Sequence, residues 1–154
     1  MREVTGSTAS FQTIILFILI FAAFLSMVII YSKAYIIKNE VLTIIEKYDG
    51  VSNTSLDIIN NYVLGQGYKQ KGSCPADENW IGVKSISKRD YTVVNDNTKY
   101  YYCFQKVEKN SKSVYYNIRF FYKFNLPVFG DIATFKINGR TKLIIPANDI
   151  IKEV

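Results

Sequence analysis

The chain has 154 residues, 49% of them hydrophobic, with a formal charge of +6 and no histidine. Without histidine the commonest general base, the Ser-His and Cys-His nucleophile systems and most zinc sites are excluded. Carboxylates are sparse as well, so the composition argues against an enzyme and implies no cofactor or metal.

The first feature in chain order is a stretch from 4 to 32 that carries no charge, with 11–31 reading FQTIILFILIFAAFLSMVIIY. At about 1.5 Å of rise per residue, roughly 20 such residues cross a hydrocarbon core of about 30 Å. A cleavable signal peptide has a shorter apolar centre, about 7 to 15 residues. The segment therefore reads as a retained anchor: a short stub over 1–10, a transmembrane helix over 11–32 and a stalk helix over 33–50. In the stalk, Ala34, Ile37, Val41, Ile44 or Ile45 and Tyr48 share one helical face, while Lys33, Lys38, Glu40 and Lys47 lie elsewhere.

Residues 51–154 suffice for one small head domain. Tyr48-Asp49-Gly50 gives a break, and VSNTSLDIINNYVLG predicts a second, short helix. Asn53, Thr54 or Ser55 would cap it, Leu56, Ile59 and Val63 would share a face, and Gly65 would stop it. From Trp80 the period changes to two. The clearest case alternates Val114, Tyr116, Ile118, Phe120, Tyr122 and Phe124 with Tyr115, Asn117, Arg119, Phe121 and Lys123. Asn138-Gly139 between TFKI and RTKLII predicts a two-residue hairpin. With IGVKSIS, YTVV and YYYCFQKV this makes five or six strands. The predicted fold class is α+β: a long N-terminal transmembrane helix extending into a stalk, a short second helix, and an antiparallel β-sheet head.

Cys74 sits in a Gly-Ser-Cys-Pro loop and Cys103 in a strand-like run, without CxxC spacing. In a small membrane-anchored domain the pair reads as a disulfide formed in an oxidising, extracytoplasmic compartment; two separate buried thiols are the other reading. Arg2 against Lys33 and Lys38 favours the opposite side for the head, and the cysteines are given precedence. No carboxylate pair is arranged for acid/base work: Asp77 and Glu78 are neighbours whose side chains point apart in an extended loop, and Asn95-Asp96-Asn97 fits a turn.

Between Lys84 and Lys123 nine Lys/Arg face three acids, a net of +6 by subtraction. Lys84, Lys88, Arg89, Lys99, Lys106, Lys109 and Lys112 thus mark a candidate polyanion-binding face, where Tyr91, Tyr100, Tyr101 and Tyr102 could stack on bases. The plainer reading is that the lysines protect sheet edges and the tyrosines pack half-buried on the pleat.

Two further stretches carry a family resemblance. Gly6 precedes STASFQTIILFILI, and NIRFFYKFNLPVFGDIATFKINGRTKLI runs as a strand, a Leu-Pro turn, a short hydrophobic link and a last strand. The chain in this respect resembles pilin-like proteins, and within them the TadE-like minor pilins of tight-adherence (Flp-type) systems. The resemblance implies processing between Gly6 and Ser7 and a non-enzymatic role in a bacterial surface pilus or secretion apparatus. It also implies an N-terminal helix that packs in the membrane against pilin or assembly-platform proteins, in homo- or hetero-oligomers. The family's glutamate shortly after the glycine is replaced here by Ser10 or Phe11. The alternatives are a membrane-anchored module that captures an extracellular polyanion such as DNA, or an accessory protein docking on another membrane protein.

Overall fold

In the computed structural model residues 2–47 form one uninterrupted helix, α1 (Arg2–Lys47), of 46 residues. The structure describes residues 2–76, 79–87, 90–94, 98–110, 112–126 and 130–146, and of these the side chains outside 2–8, 124–126 and 130–133. The predicted stub is helical from Arg2 onward. A single Gly6 costs a helix interior only about 1 kcal/mol, too little to break a rod with no other stop signal before Lys47.

The two halves of α1 have different surroundings. Large side chains from Phe11 to Tyr31 are exposed, Phe17 at 69%. From Ala34 the predicted stripe is buried: Ala34, Ile37, Val41, Ile44 and Ile45, with Lys38 beside them, while Tyr48 stays 37% exposed. The helix ends where Asp49 turns to φ 50° and Gly50 to φ 135°, and the Gly50 N–H donates to the Ile45 carbonyl at 3.0 Å. That bond closes the last turn as in a Schellman motif.

Helix α2 (Asn53–Gly65) is capped by Ser52, one residue before the predicted candidates. The Ser52 hydroxyl accepts from the Ser55 N–H at 3.1 Å and the Ser55 hydroxyl from the Ser52 N–H at 2.8 Å, a capping box built from two serines. The stop is Gly67, not Gly65. It adopts φ 66°, its N–H reaches Leu64 O at 2.8 Å, and the Tyr68 N–H reaches Val63 O at 3.2 Å.

Five strands follow: β1 (Trp80–Ser85), β2 (Asp90–Val93), β3 (Tyr102–Asn110), β4 (Ser113–Leu126) and β5 (Gly130–Arg140). They form one antiparallel sheet in the order β2-β1-β3-β4-β5. Helix α1 packs on β4 and β5 and also touches α2. The Tyr102 hydroxyl donates to Asn60 Oδ1 at 2.8 Å, which ties α2 to β3. Val114, Tyr116, Ile118 and Phe120 face this helical layer and are buried, as the alternation requires.

Phe121, predicted on the outer face, is buried too. It belongs to a second cluster with Trp80, Tyr100 and Cys103, covered by the segment that bridges Gly72 to Tyr100. Gly72 is needed there because a Cβ would overlap the Phe121 ring, and Gly82 because a Cβ would overlap the Tyr100 ring.

The predicted Asn138-Gly139 hairpin does not form. β5 runs straight through it, with Arg119 opposite Asn138 and Ile118 opposite Gly139. The glycine answers a tertiary constraint instead: a Cβ would stand 2.9 Å from Leu42 Cδ1 and 2.9 Å from Lys38 Cδ. It lets α1 approach the sheet. Gly139→Val should therefore lower stability by about 1–3 kcal/mol through overpacking, and Leu42→Ala in the same chain should recover part of the loss. Thermal melts of the four chains of this cycle check it; additive losses would mean that helix and strand do not meet there.

Candidate functional site

Among the described residues no group of three His, Cys, Asp or Glu side chains is placed to hold a metal. The chemistry-bearing features are the free apolar half of α1, the disulfide, and the distribution of lysine and tyrosine. Helix α1 is long and apolar enough, over Ala9–Lys47, to cross a membrane. An exposed apolar surface of this extent marks an interaction site with membrane or protein.

Cys74 and Cys103 are joined in a disulfide with a Cα–Cα distance of 6.0 Å. The bond pins the 68–76 segment over the outer cluster, with Cys103 fully buried on β3. Tyr68 secures the same segment from the other side of the sheet. Its hydroxyl accepts from the Phe121 N–H at 2.9 Å and donates to the Phe121 carbonyl, with the Tyr101 carbonyl 3.2 Å away. It thus serves main-chain groups just past the Tyr102–Phe120 pair of the β3–β4 ladder. Burial pushes the Tyr68 phenol well above its ordinary value, partly offset by the bond to Phe121; burial alone raises Tyr102.

The described members of the predicted polyanion-binding set, Lys84, Lys99, Lys106, Lys109 and Lys112, are spread along the sheet. Lys84 is the last residue but one of β1, and Lys99 precedes Tyr100 at the start of the β3 side. Lys106 lies on β3, 3.6 Å from Glu108, and Lys109 and Lys112 stand at the far β3–β4 turn. Eight strand steps of about 3.4 Å from Tyr102 to Asn110 separate these two ends by roughly 27 Å. Lys88 and Arg89 lie outside the described residues, as do Asp77, Glu78, Asn95, Asp96 and Asn97. Gly6 and Ser7 lie on the first turns of α1.

A set of lysines that shares Lys99 with the predicted one converges. Lys69, Lys71, Lys99, Lys123 and Lys136 line a cleft of about 450 Å³. Lys33, Lys69 and Lys123 line an adjoining one of about 240 Å³, walled by Ile30, Ala34 and Ile37 of α1. Among the described residues no acidic side chain lines either cleft. The Lys71 ammonium lies 4.4 Å from the centre of the Tyr101 ring. The sequence reading missed Lys33, Lys69, Lys71 and Lys136, which come from α1, the loop after α2, and β5. Their only signal in the sequence is that each flanks an apolar or glycine-rich stretch.

No family model, no curated protein and no solved structure matches the chain.

Reducing Cys74–Cys103, a pair 29 residues apart, should cost roughly 3 to 4 kcal/mol by chain entropy. Melting of the full chain in detergent with and without reductant checks this, and an unchanged midpoint would remove the bond from the fold's energetics. Stability should also fall with alkali. A phenol whose folded pKa lies above its unfolded value of about 10 contributes fully below pH 10 and loses that contribution as the pH rises further. Tyr68→Phe should cost roughly 1–3 kcal/mol, because the buried Phe121 N–H loses its acceptor, and should flatten the alkaline decline seen in melts from neutral pH to above 10.

Proposed function

We propose that the chain is a single-pass membrane protein and a non-enzymatic assembly subunit of the pilin-like class, with a TadE-like minor pilin or pseudopilin as the best fit. The observation that carries this reading is the continuity of α1, whose first half exposes apolar side chains all round while its second half is packed into the head. A helix built this way rests in lipid as a monomer and exchanges lipid for neighbouring helices on assembly. Ala22 and Ala23 offer small side chains for close approach.

The Cys74–Cys103 bond supports a head outside the cytoplasm, where disulfides persist. The described lysines on which the DNA-capturing alternative draws, Lys84, Lys99, Lys106, Lys109 and Lys112, are spread over roughly 27 Å along the sheet, less concentrated than the lysines of the two clefts.

Mass spectrometry of the chain recovered from membranes tests the proposal. The expected mature N terminus is Ser7, from cleavage after Gly6; an intact Met1 or a cut elsewhere overturns the pilin-like assignment. Cysteines placed at Ala22 or Ala23 should cross-link to a second apolar helix in the membrane, and a strictly monomeric pattern would leave the subunit without an assembly contact.

A further inference from the structure

Three contacts set the height of each part of the head along α1. Glu46 accepts from the Lys142 main-chain N–H at 2.8 Å and lies 3.8 Å from its ammonium. Lys38 and Leu42 meet Gly139. Tyr31 meets Tyr122 edge-on, ring centres 6.1 Å apart. Moving along α1 toward its apolar half therefore means moving forward along β4 and back along β5. The level of Tyr122 is where the freely exposed half gives way to the packed one.

The basic clefts lie at that level. Lys33 extends from α1 just after the apolar run, and Lys123 is the neighbour of Tyr122. Lys136 stands opposite Phe121 on β5, and the Tyr68–Gly72 segment that carries Lys69 and Lys71 is bonded to Phe121 and Tyr100. Aromatic rings gather at the same height: Tyr31 stacks on Tyr35 at 6.4 Å and Tyr122 on Phe135 at 5.3 Å. Tyrosines and lysines collected where an apolar helix ends are the side chains that favour a lipid–water boundary, each with an apolar body and a polar tip.

We infer that this rim binds the headgroups of anionic phospholipids: its lysines take the phosphates, and the cleft walled by Ile30, Ala34 and Ile37 takes the glycerol end of the acyl chains. The inference rests on α1 being a membrane anchor. Charge range selects the rim lysines over the others. A surface potential decays within about 10 Å at 0.1 M salt, and Lys109 and Lys112 stand roughly 27 Å farther along the strands. Nucleic acid fits less well, since the rim faces a bilayer that would repel a second polyanion.

The test uses the full chain in neutral-detergent micelles doped with phosphatidylglycerol or with phosphatidylcholine of matched acyl chains, counting retained lipid by native mass spectrometry at low and high salt. Phosphatidylglycerol should be retained in preference, and the preference should fade with salt. The triple variant Lys33→Gln, Lys69→Gln, Lys136→Gln should weaken its retention on the order of a hundredfold, at roughly fivefold per lysine. Lys106→Gln, Lys109→Gln, Lys112→Gln should leave it unchanged. Equal retention of the two lipids, or equal losses in both triples, overturns the inference. So does displacement of the lipid by inorganic phosphate alone, which would mark a free-anion site, or binding of single-stranded DNA at the rim in place of lipid. A chain that stays soluble without detergent overturns the anchor and this inference together. A chain that stays in micelles without an anionic preference overturns this inference alone.

Discussion

The fold depends on burying the second half of α1 against β4 and β5. Ile37, Val41, Ile44 and Ile45 are each at most 7% exposed. At about 1.5–3 kcal/mol per fully buried side chain, the four together contribute on the order of 6 to 12 kcal/mol as an upper bound. That equals the whole net stability of a typical small domain, about 5–15 kcal/mol. The head is thus not a domain to which an apolar helix has merely been attached. The helix supplies a large part of its core, and the close approach at Gly139 is the geometric condition for that.

The outer face of the sheet solves a second problem. An antiparallel sheet of five strands with helices on one side leaves the other side wet, and alternation along β4 leads one to expect that of Phe121. Here Gly72 and Gly82 give up their side chains so that the rings of Phe121 and Tyr100 lie flat against main chain, and the disulfide holds the covering segment in place. Tyr68 completes the closure from the inner side, since its hydroxyl serves main-chain groups at the end of the β3–β4 ladder. Polar satisfaction and apolar cover are achieved by the same short stretch of chain.

What could be read from the sequence were the features with a period. The stalk stripe Ala34, Ile37, Val41, Ile44 and Ile45, the α2 face Leu56, Ile59 and Val63, and the β4 alternation all follow from spacing, and together they suffice for the α+β layout. The misreadings have physical causes. Asn138-Gly139 carries a strong local turn signal, but the glycine is there for a helix from the other end of the chain, and no local rule reports such a neighbour. Ser52 escaped notice as a cap because its partner at N3 is a serine in place of the usual Glu or Gln. Most of the lysine rim was hidden because it is assembled from α1, the post-α2 loop, β4 and β5, while the charge excess along the sequence marked only the stretch from Lys84 to Lys123, which holds Lys99 and Lys123 of the rim. The residues that converge in space are those whose strands cross the level of Tyr122.

The continuity of α1 also has a mechanical meaning. Because Tyr31, Lys38, Leu42 and Glu46 meet β4, β5 and the segment after it in regular succession, the rod and the strands run along one another. Tension applied to the exposed end of the rod loads that seam in shear over its whole length, so many contacts resist together instead of peeling apart one by one. Torque travels the same way: any rotation of the rod about its own axis must swing the entire sheet with it.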